Sequence, residues 1–316
     1  MRTLSFHFIV ATAFALSLIS GSLQAFERCV TDDSRRQVCV QSKAPSIISL
    51  APGSTELLFA AGAGKQVIAT DQYSDYPPEV DSLPKVGGYP SINLEAIISY
   101  QPELVIIWTD GNSQQLVRHL EKLGINTFHI NAQNFEGIDR VIRKLGRIAG
   151  TETAGNKAAN EFTERLAALK NKYQQQSELS VFFEIWREPL MSVGGSQIIT
   201  NAIEVCGGRS LYADIAQPTV KVGMEQLITD NPDVILSSDP RGHTPETQKE
   251  MLNYWQKWGS ISAVKQKQLY TIPSDYIARL TPRLLEGTEI ICKQLQAVRS
   301  SSDYSDSMLT TATTSR

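Results

Sequence analysis

The chain of 316 residues carries 30 basic against 33 acidic side chains, and 41% of its residues are hydrophobic. That balance lacks the basic footprint of a nucleic-acid binder, so no nucleic-acid partner is expected. The length exceeds what one hydrophobic core usually spans, and two domains are expected.

Residues 1–25 read as a secretion signal. Arg2 supplies the positive end, residues 8–19 form an apolar run of twelve, and Leu23-Gln24-Ala25 is a cleavage site in which Leu23 is larger than the preferred small residue. The run is too short to be read as a membrane anchor. Phe26-Glu27-Arg28 before Cys29 lacks the small residue of a lipoprotein cleavage site. A soluble, exported protein beginning near Phe26 is therefore expected.

Cys29 and Cys39 flank the polar turn Thr31-Asp32-Asp33-Ser34-Arg35-Arg36, which suggests a disulfide-stapled hairpin over residues 26–43. Four cysteines allow three pairings, and this one leaves Cys206 for Cys292. A metal site is the competing reading, but there is no Cys-x-x-Cys, and His119, His129 and His243 are scattered, so no metal is expected.

A first lobe is expected over 44–150. Strands are read at 46–50, 67–70, 104–108 and 127–130, with helices over 56–61, capped by Ser54 or Thr55, and over 113–123. Alternating strands and helices imply a largely parallel sheet covered on both faces. Helices over 137–149 and 153–176 follow without a strand between them. A helix of about 23 residues spans roughly 35 Å, long enough to link two lobes, so residues 151–177 are read as the linker. A strand at 179–185 opens a second lobe over 178–299, closed by a helix over 282–298. The Ser/Thr-rich tail 300–316 is expected to be disordered.

One unit occurs twice. Leu94-Glu95-Ala96-Ile97-Ile98-Ser99-Tyr100-Gln101-Pro102 and Met224-Glu225-Gln226-Leu227-Ile228-Thr229-Asp230-Asn231-Pro232 each read as a short helix with a first-turn glutamate, ended by a proline before a buried strand. A period this long fits two similar α/β lobes rather than a solenoid.

Three loops after strands carry aromatic residues: Tyr73-Ser74-Asp75-Tyr76, Trp108-Thr109-Asp110-Gly111-Asn112 and Ser274-Asp275-Tyr276-Ile277-Ala278-Arg279. Ligands bind α/β sheets at such strand ends, so an aromatic cleft for a large, flat ligand is expected. For any single ring the plain alternative is rim packing. No Gly-x-Ser-x-Gly, phosphate loop or His-Glu-x-x-His is present, and Asp71, Asp75, Asp110 and Asp275 read as turn residues before an acid/base pair. No enzyme activity, no catalytic residue and no cofactor are expected.

Ser74-Asp75-Tyr76-Pro77-Pro78, Asn93-Leu94-Glu95, Trp108 with Gly111-Asn112, Glu204-Val205-Cys206-Gly207-Gly208, Met224-Glu225-Gln226 and Thr281-Pro282-Arg283 together resemble the periplasmic cobalamin-binding proteins of bacterial vitamin B12 ABC importers, from about residue 45 to 298. The resemblance implies the class III periplasmic binding protein fold, two Rossmann-like lobes joined by a single long helix. It implies a periplasmic carrier that holds cobalamin or a related corrinoid between its lobes and delivers it to a permease dimer with its ATPase subunits. Ligand contacts fall on Tyr73, Trp108 and residues 275–279 (Asp275, Tyr276, Ile277, Ala278, Arg279), and transporter docking falls on Glu95 and Glu225. The family disulfide matches Cys206 with Cys292. Two departures stand out: Tyr89 and Thr219 take positions where the family has tryptophans. A monomer is expected, with limited hinge motion about its linking helix. The alternatives are a siderophore or haem receptor of the same fold, haem taking Tyr73 or Tyr89 as axial ligand, or an enzyme such as a chelatase on this scaffold.

Overall fold

The computed structural model describes residues 27–313, with side chains to residue 301; the expected secretion signal lies outside the described residues. Strands β1 (Arg28–Thr31) and β2 (Gln37–Val40) pair antiparallel with Cys29 opposite Cys39, and these two form a disulfide. The hairpin is anchored by its turn. Asp33 accepts from Lys144 Nζ at 2.7 Å and from the Asn131 amide at 2.8 Å, and Asp32 accepts from the Arg36 guanidinium.

The first lobe contains β3 (Ile47–Ser49), α1 (Pro52–Ala60), β4 (Val67–Thr70), the short pair β5 (Gly87–Gly88) and β6 (Ser91–Ile92), α2 (Leu94–Ser99), β7 (Leu104–Trp108), α3 (Gln114–Lys122), β8 (Thr127–Ile130) and α4 (Phe135–Ala149). Its sheet runs β4-β3-β7-β8, all parallel. Successive residues of a strand face opposite sides, so a doubly covered sheet needs a continuous apolar run. Strand β7 shows this: Leu104 and Ile106 enter the core shared with α1 and α4, while Val105 and Ile107 enter a separate core with Ile97 and Leu120.

Helix α1 starts at Pro52, earlier than the sequence suggested, and Ser54 and Thr55 lie inside it rather than capping it. Proline tolerates the first helical position, where no amide partner exists. The two hydroxyls bond back to the Ala51 carbonyl at 2.8 and 3.1 Å. Helix α4 starts at Phe135, with Asn134 accepting from the Gly137 amide.

Helix α5 (Glu152–Tyr173) is the linker. It crosses α4 at Gly146 and Gly155, where a β-carbon on either would stand 3.0 Å from the other's Cα, so the absence of side chains permits the close approach. Its Phe162 and Leu166 belong to one continuous core that includes Ile142 of the first lobe and Val181, Leu236 and Leu295 of the second.

The second lobe holds β9 (Leu179–Arg187), β10 (Leu190–Val193), α6 (Ile198–Val205), β11 (Gly208–Ser210), β12 (Thr219–Lys221), α7 (Met224–Asp230), β13 (Val234–Asp239), α8 (Pro245–Trp255), α9 (Ser262–Lys265), β14 (Leu269–Pro273), α10 (Ser274–Ile277) and α11 (Leu284–Thr313). Its sheet is mixed rather than parallel throughout. Strands β9, β11, β13 and β14 are parallel, whereas β10 returns antiparallel from β9 and β12 pairs antiparallel with β10. The short connection between β9 and β10 leaves no room for a crossover helix. Cys206 and Cys292 form a second disulfide, tying the end of α6 to α11. Helix α11 runs past residue 298, where the sequence placed its end; once a helix is nucleated, each added residue gains a hydrogen bond, so weak formers can be carried along.

Candidate functional site

The loop after β4 forms one wall. Asp71, 2% exposed, accepts from the Tyr73 amide at 2.9 Å and from the Ser74 hydroxyl, and fixes the turn. Burial pushes its pKa up. Tyr73 is left 54% exposed above Gly88, where a β-carbon would fall 2.7 Å from the tyrosine ring. Trp108, at the end of β7, is 42% exposed. Its amide donates to Asn112 Oδ1 at 2.7 Å, and its ring lies so close over Gly111 that a β-carbon there would stand 2.0 Å away. Tyr89, between β5 and β6, is 68% exposed. The three rings bound a cavity of about 540 Å³ together with Asp71 and Asp110.

Arg279 closes the gap between lobes. Its Nη1 lies 2.9 Å from Glu56 and 2.6 Å from Asp75 of the first lobe, and its Nη2 lies 3.1 Å from Asp275. Arg283 Nε donates to Glu56 Oε2 at 3.0 Å, and its guanidinium stacks 4.0 Å from the Tyr76 ring centre. Burial acts to lower the Arg279 pKa, but the hydrogen bonds to Asp75 and Glu56 outweigh it and raise it. The same bond holds Asp75 below the usual carboxylate range. Asp75 and Asp275 therefore meet around an arginine rather than as an acid/base pair. Two guanidiniums face three carboxylates here, so the centre of the gap carries no excess positive charge for an anionic ligand.

Ala278 and Arg279 share a smaller cavity of about 220 Å³ with Trp108 and Leu57. Tyr276 is half-buried beside Arg283. Ile277 corrects the expectation: it is 1% exposed and sits in the main core, because the helical turn of α10 that presents Asp275 and Ala278 to solvent buries the residue between them.

The sequence reading missed an exposed aromatic residue of the second lobe. Trp186, at the end of β9, is 62% exposed and donates from Nε1 to the Glu188 carbonyl at 2.9 Å. With Arg187, Asp239 and Tyr254 it lines a cavity of about 580 Å³. Arg187 stacks 4.6 Å from the Tyr254 ring and donates to buried Glu184 at 2.7 Å. A tryptophan at the carboxyl end of a buried strand was the signal, the same one that singled out Trp108. Thr219 lies exposed on edge strand β12.

Glu95 and Glu225 are both exposed in the first turns of α2 and α7. The repeat holds down to the backbone: Gln101 and Asn231, equivalent residues before the prolines, have φ of 47° and 45°. Asparagine visits this left-handed region most readily, and Gln101 adopts it as the same helix-ending turn. Among the described residues, one group suits a metal ion, Glu27 with Cys29 and Cys39, but its thiols are joined in the disulfide.

Residues 47–276 match the periplasmic binding protein family. The vitamin B12-binding protein of Vibrio parahaemolyticus serotype O3:K6 (strain RIMD 2210633) is 34% identical over 254 residues, spanning 80% of this chain and 90% of that protein. The vitamin B12-binding protein of Vibrio campbellii (strain ATCC BAA-1116) is 35% identical over 259 residues, spanning 81% and 91%. The crystal structure of the periplasmic vitamin B12 binding protein BtuF of Vibrio cholerae superposes with a TM-score of 0.71 at 30% identity, covering 81% of this chain and 98% of that one. The periplasmic heme binding protein HutB of Vibrio cholerae shares the fold, with a TM-score of 0.70 at 22% identity, covering 80% and 99%.

Proposed function

The chain belongs to the periplasmic binding protein family, and we propose that within it the chain captures cobalamin or a related corrinoid between its lobes and delivers it to an ABC importer. The family consists of carriers, not enzymes, and the corrinoid is cargo rather than cofactor. One observation carries the choice of ligand: Tyr73, Tyr89 and Trp108 remain exposed around one cavity beside a gap whose charges are already paired, and Trp186 is exposed at the end of β9 in the second lobe. A corrin ring is broad and flat, and its amide-bearing rim needs aromatic faces and hydrogen-bond partners more than a cluster of cations. An anionic ferric siderophore would find Arg279 already neutralised by three carboxylates. The names of the relatives support the same ligand.

In this reading Tyr73, Tyr89, Trp108 and Trp186 contact the ring, and Asp275, Tyr276, Ala278 and Arg279 contribute at its edge. The chain works in the periplasm as a monomer after its leader is cleaved. Glu95 and Glu225, equivalent on two lobes, dock onto basic residues of a permease dimer that is coupled to its ATPase subunits. Titration calorimetry of the mature protein with cyanocobalamin, haem and a ferric hydroxamate siderophore tests the ligand. A single site for cyanocobalamin is expected. Tight binding of haem or siderophore with no heat from cyanocobalamin would overturn the assignment.

A further inference from the structure

Among the described residues two isoleucines are exposed, Ile98 at 41% and Ile228 at 38%, and they are equivalent positions of the repeat. Each follows its glutamate by three residues, so Glu95 with Ile98 and Glu225 with Ile228 share one helix face. The neighbours Ile97 and Leu227 are both 0% exposed, so each helix buries one aliphatic side chain and presents the next. A hydroxyl residue follows in both copies and bonds back into its own helix, Ser99 to the Ala96 carbonyl three residues earlier at 2.8 Å and Thr229 to the Glu225 carbonyl four residues earlier at 2.9 Å. The equivalence ends at the next position, where Tyr100 is exposed but Asp230 accepts from the Tyr212 hydroxyl. A single exposed isoleucine needs no explanation. Two at matching places, each beside an exposed acidic group, describe a pad made twice.

We infer that Glu95 with Ile98, and Glu225 with Ile228, form two equal docking pads for the two-fold symmetric periplasmic face of a permease dimer, each half of which offers a basic side chain beside an apolar socket. This rests on the docking reading of the glutamates above. Two equivalent pads fit two sites related by a two-fold axis. The carboxylate supplies orientation and encounter rate, while the isoleucine supplies the desolvated contact that holds the complex.

The test measures binding of the mature protein to its cognate permease–ATPase complex in lipid nanodiscs, with cyanocobalamin affinity confirming that every variant is folded. Ile98→Ser and Ile228→Ser should each weaken docking roughly fivefold, and together roughly twenty-five-fold, because sites on separate lobes add. This loss should persist at high salt, whereas the loss caused by Glu95→Gln with Glu225→Gln should shrink as salt screens the wild type. If the isoleucine pair docks like wild type while the glutamate pair fails, the inference is overturned and the glutamate docking stands. If both pairs dock like wild type, docking through these helices is itself wrong. A strong effect from only one isoleucine overturns the symmetric arrangement. Isoleucine-dependent binding to nanodiscs of phosphatidylethanolamine and phosphatidylglycerol without permease would assign the pads to lipid and also overturn it.

Discussion

Arg279 Nη1 stands 2.9 Å from Glu56 Oε1, joining the second lobe to the first helix of the first lobe. Glu56 also holds Arg283, and its side chain is 2% exposed, so one buried carboxylate fixes two guanidiniums across the lobe boundary. The residue expected to meet the ligand at the cleft is thus positioned by a partner more than two hundred residues earlier in the chain.

Glu56→Gln should destabilise the protein by about 3 kcal/mol, because breaking a buried pair leaves charge without its partner. Urea unfolding of the single variants and of Glu56→Gln with Arg283→Met measures this. The double variant should recover part of the loss. A loss in the double variant equal to the sum of the two single losses would show that the pair is not coupled.

Gly111→Ala should weaken cobalamin binding and change the Trp108 fluorescence while leaving overall stability nearly intact. The new methyl would fall 2.0 Å from the tryptophan ring, so the ring must move. A crystal structure of the variant with Trp108 unmoved would show that the backbone yields instead.

Trp186→Ala should cost about 1 to 3 kcal/mol in cobalamin affinity, as Trp108→Ala and Tyr73→Ala should, since each removes an aromatic anchor from the cleft. Calorimetry decides this. Unchanged affinity in Trp186→Ala would remove the second lobe's wall from the site.

Release of the N-terminal hairpin should depend on acid in two steps. Burial lowers the His129 pKa, and its ring meets the Ser34 hydroxyl at 3.0 Å beneath the hairpin turn. The unfolded chain therefore takes this proton first, and stability falls as pH drops below 6.5. Asp33 resists burial, which acts to raise its pKa, because Lys144 and the Asn131 amide outweigh it and lower it. Its contribution is complete above the unfolded value of 3.8 and is lost as pH falls through the lower folded value. Hydrogen exchange at residues 28–40 should show both steps, and Asp33→Asn should remove only the lower one. Persistence of both steps in that variant would assign the lower one elsewhere.

Removing the Cys206–Cys292 disulfide should destabilise the protein more than removing Cys29–Cys39, since it closes a separation of 86 residues against 10. Chain entropy puts the larger loss at roughly 4 kcal/mol. Paired serine variants followed by thermal unfolding give the order, and a larger effect from the hairpin bridge would refute it.

The amino-acid sequence alone determined the two-lobed α/β plan, the linking helix, the glutamate-bearing repeat and the aromatic loops. Each of these is written in local periodicity, or in a strand end followed by an aromatic residue, which need no knowledge of distant neighbours. The start of α1 eluded it, because Ser54 and Thr55 look like caps until their hydroxyls are seen to turn back to Ala51. Ile277 eluded it because a single turn of α10 sends adjacent residues to the core and to solvent. Tertiary structure alone decided that Trp186 is left exposed at the rim of a second-lobe cavity and that Arg279 spends its charge on Glu56, Asp75 and Asp275. The contacts to Glu56 and Asp75 join residues 223 and 204 positions apart, and only the packing of the two lobes around α5 brings them within hydrogen-bonding distance; Asp275 is a local partner four residues before Arg279.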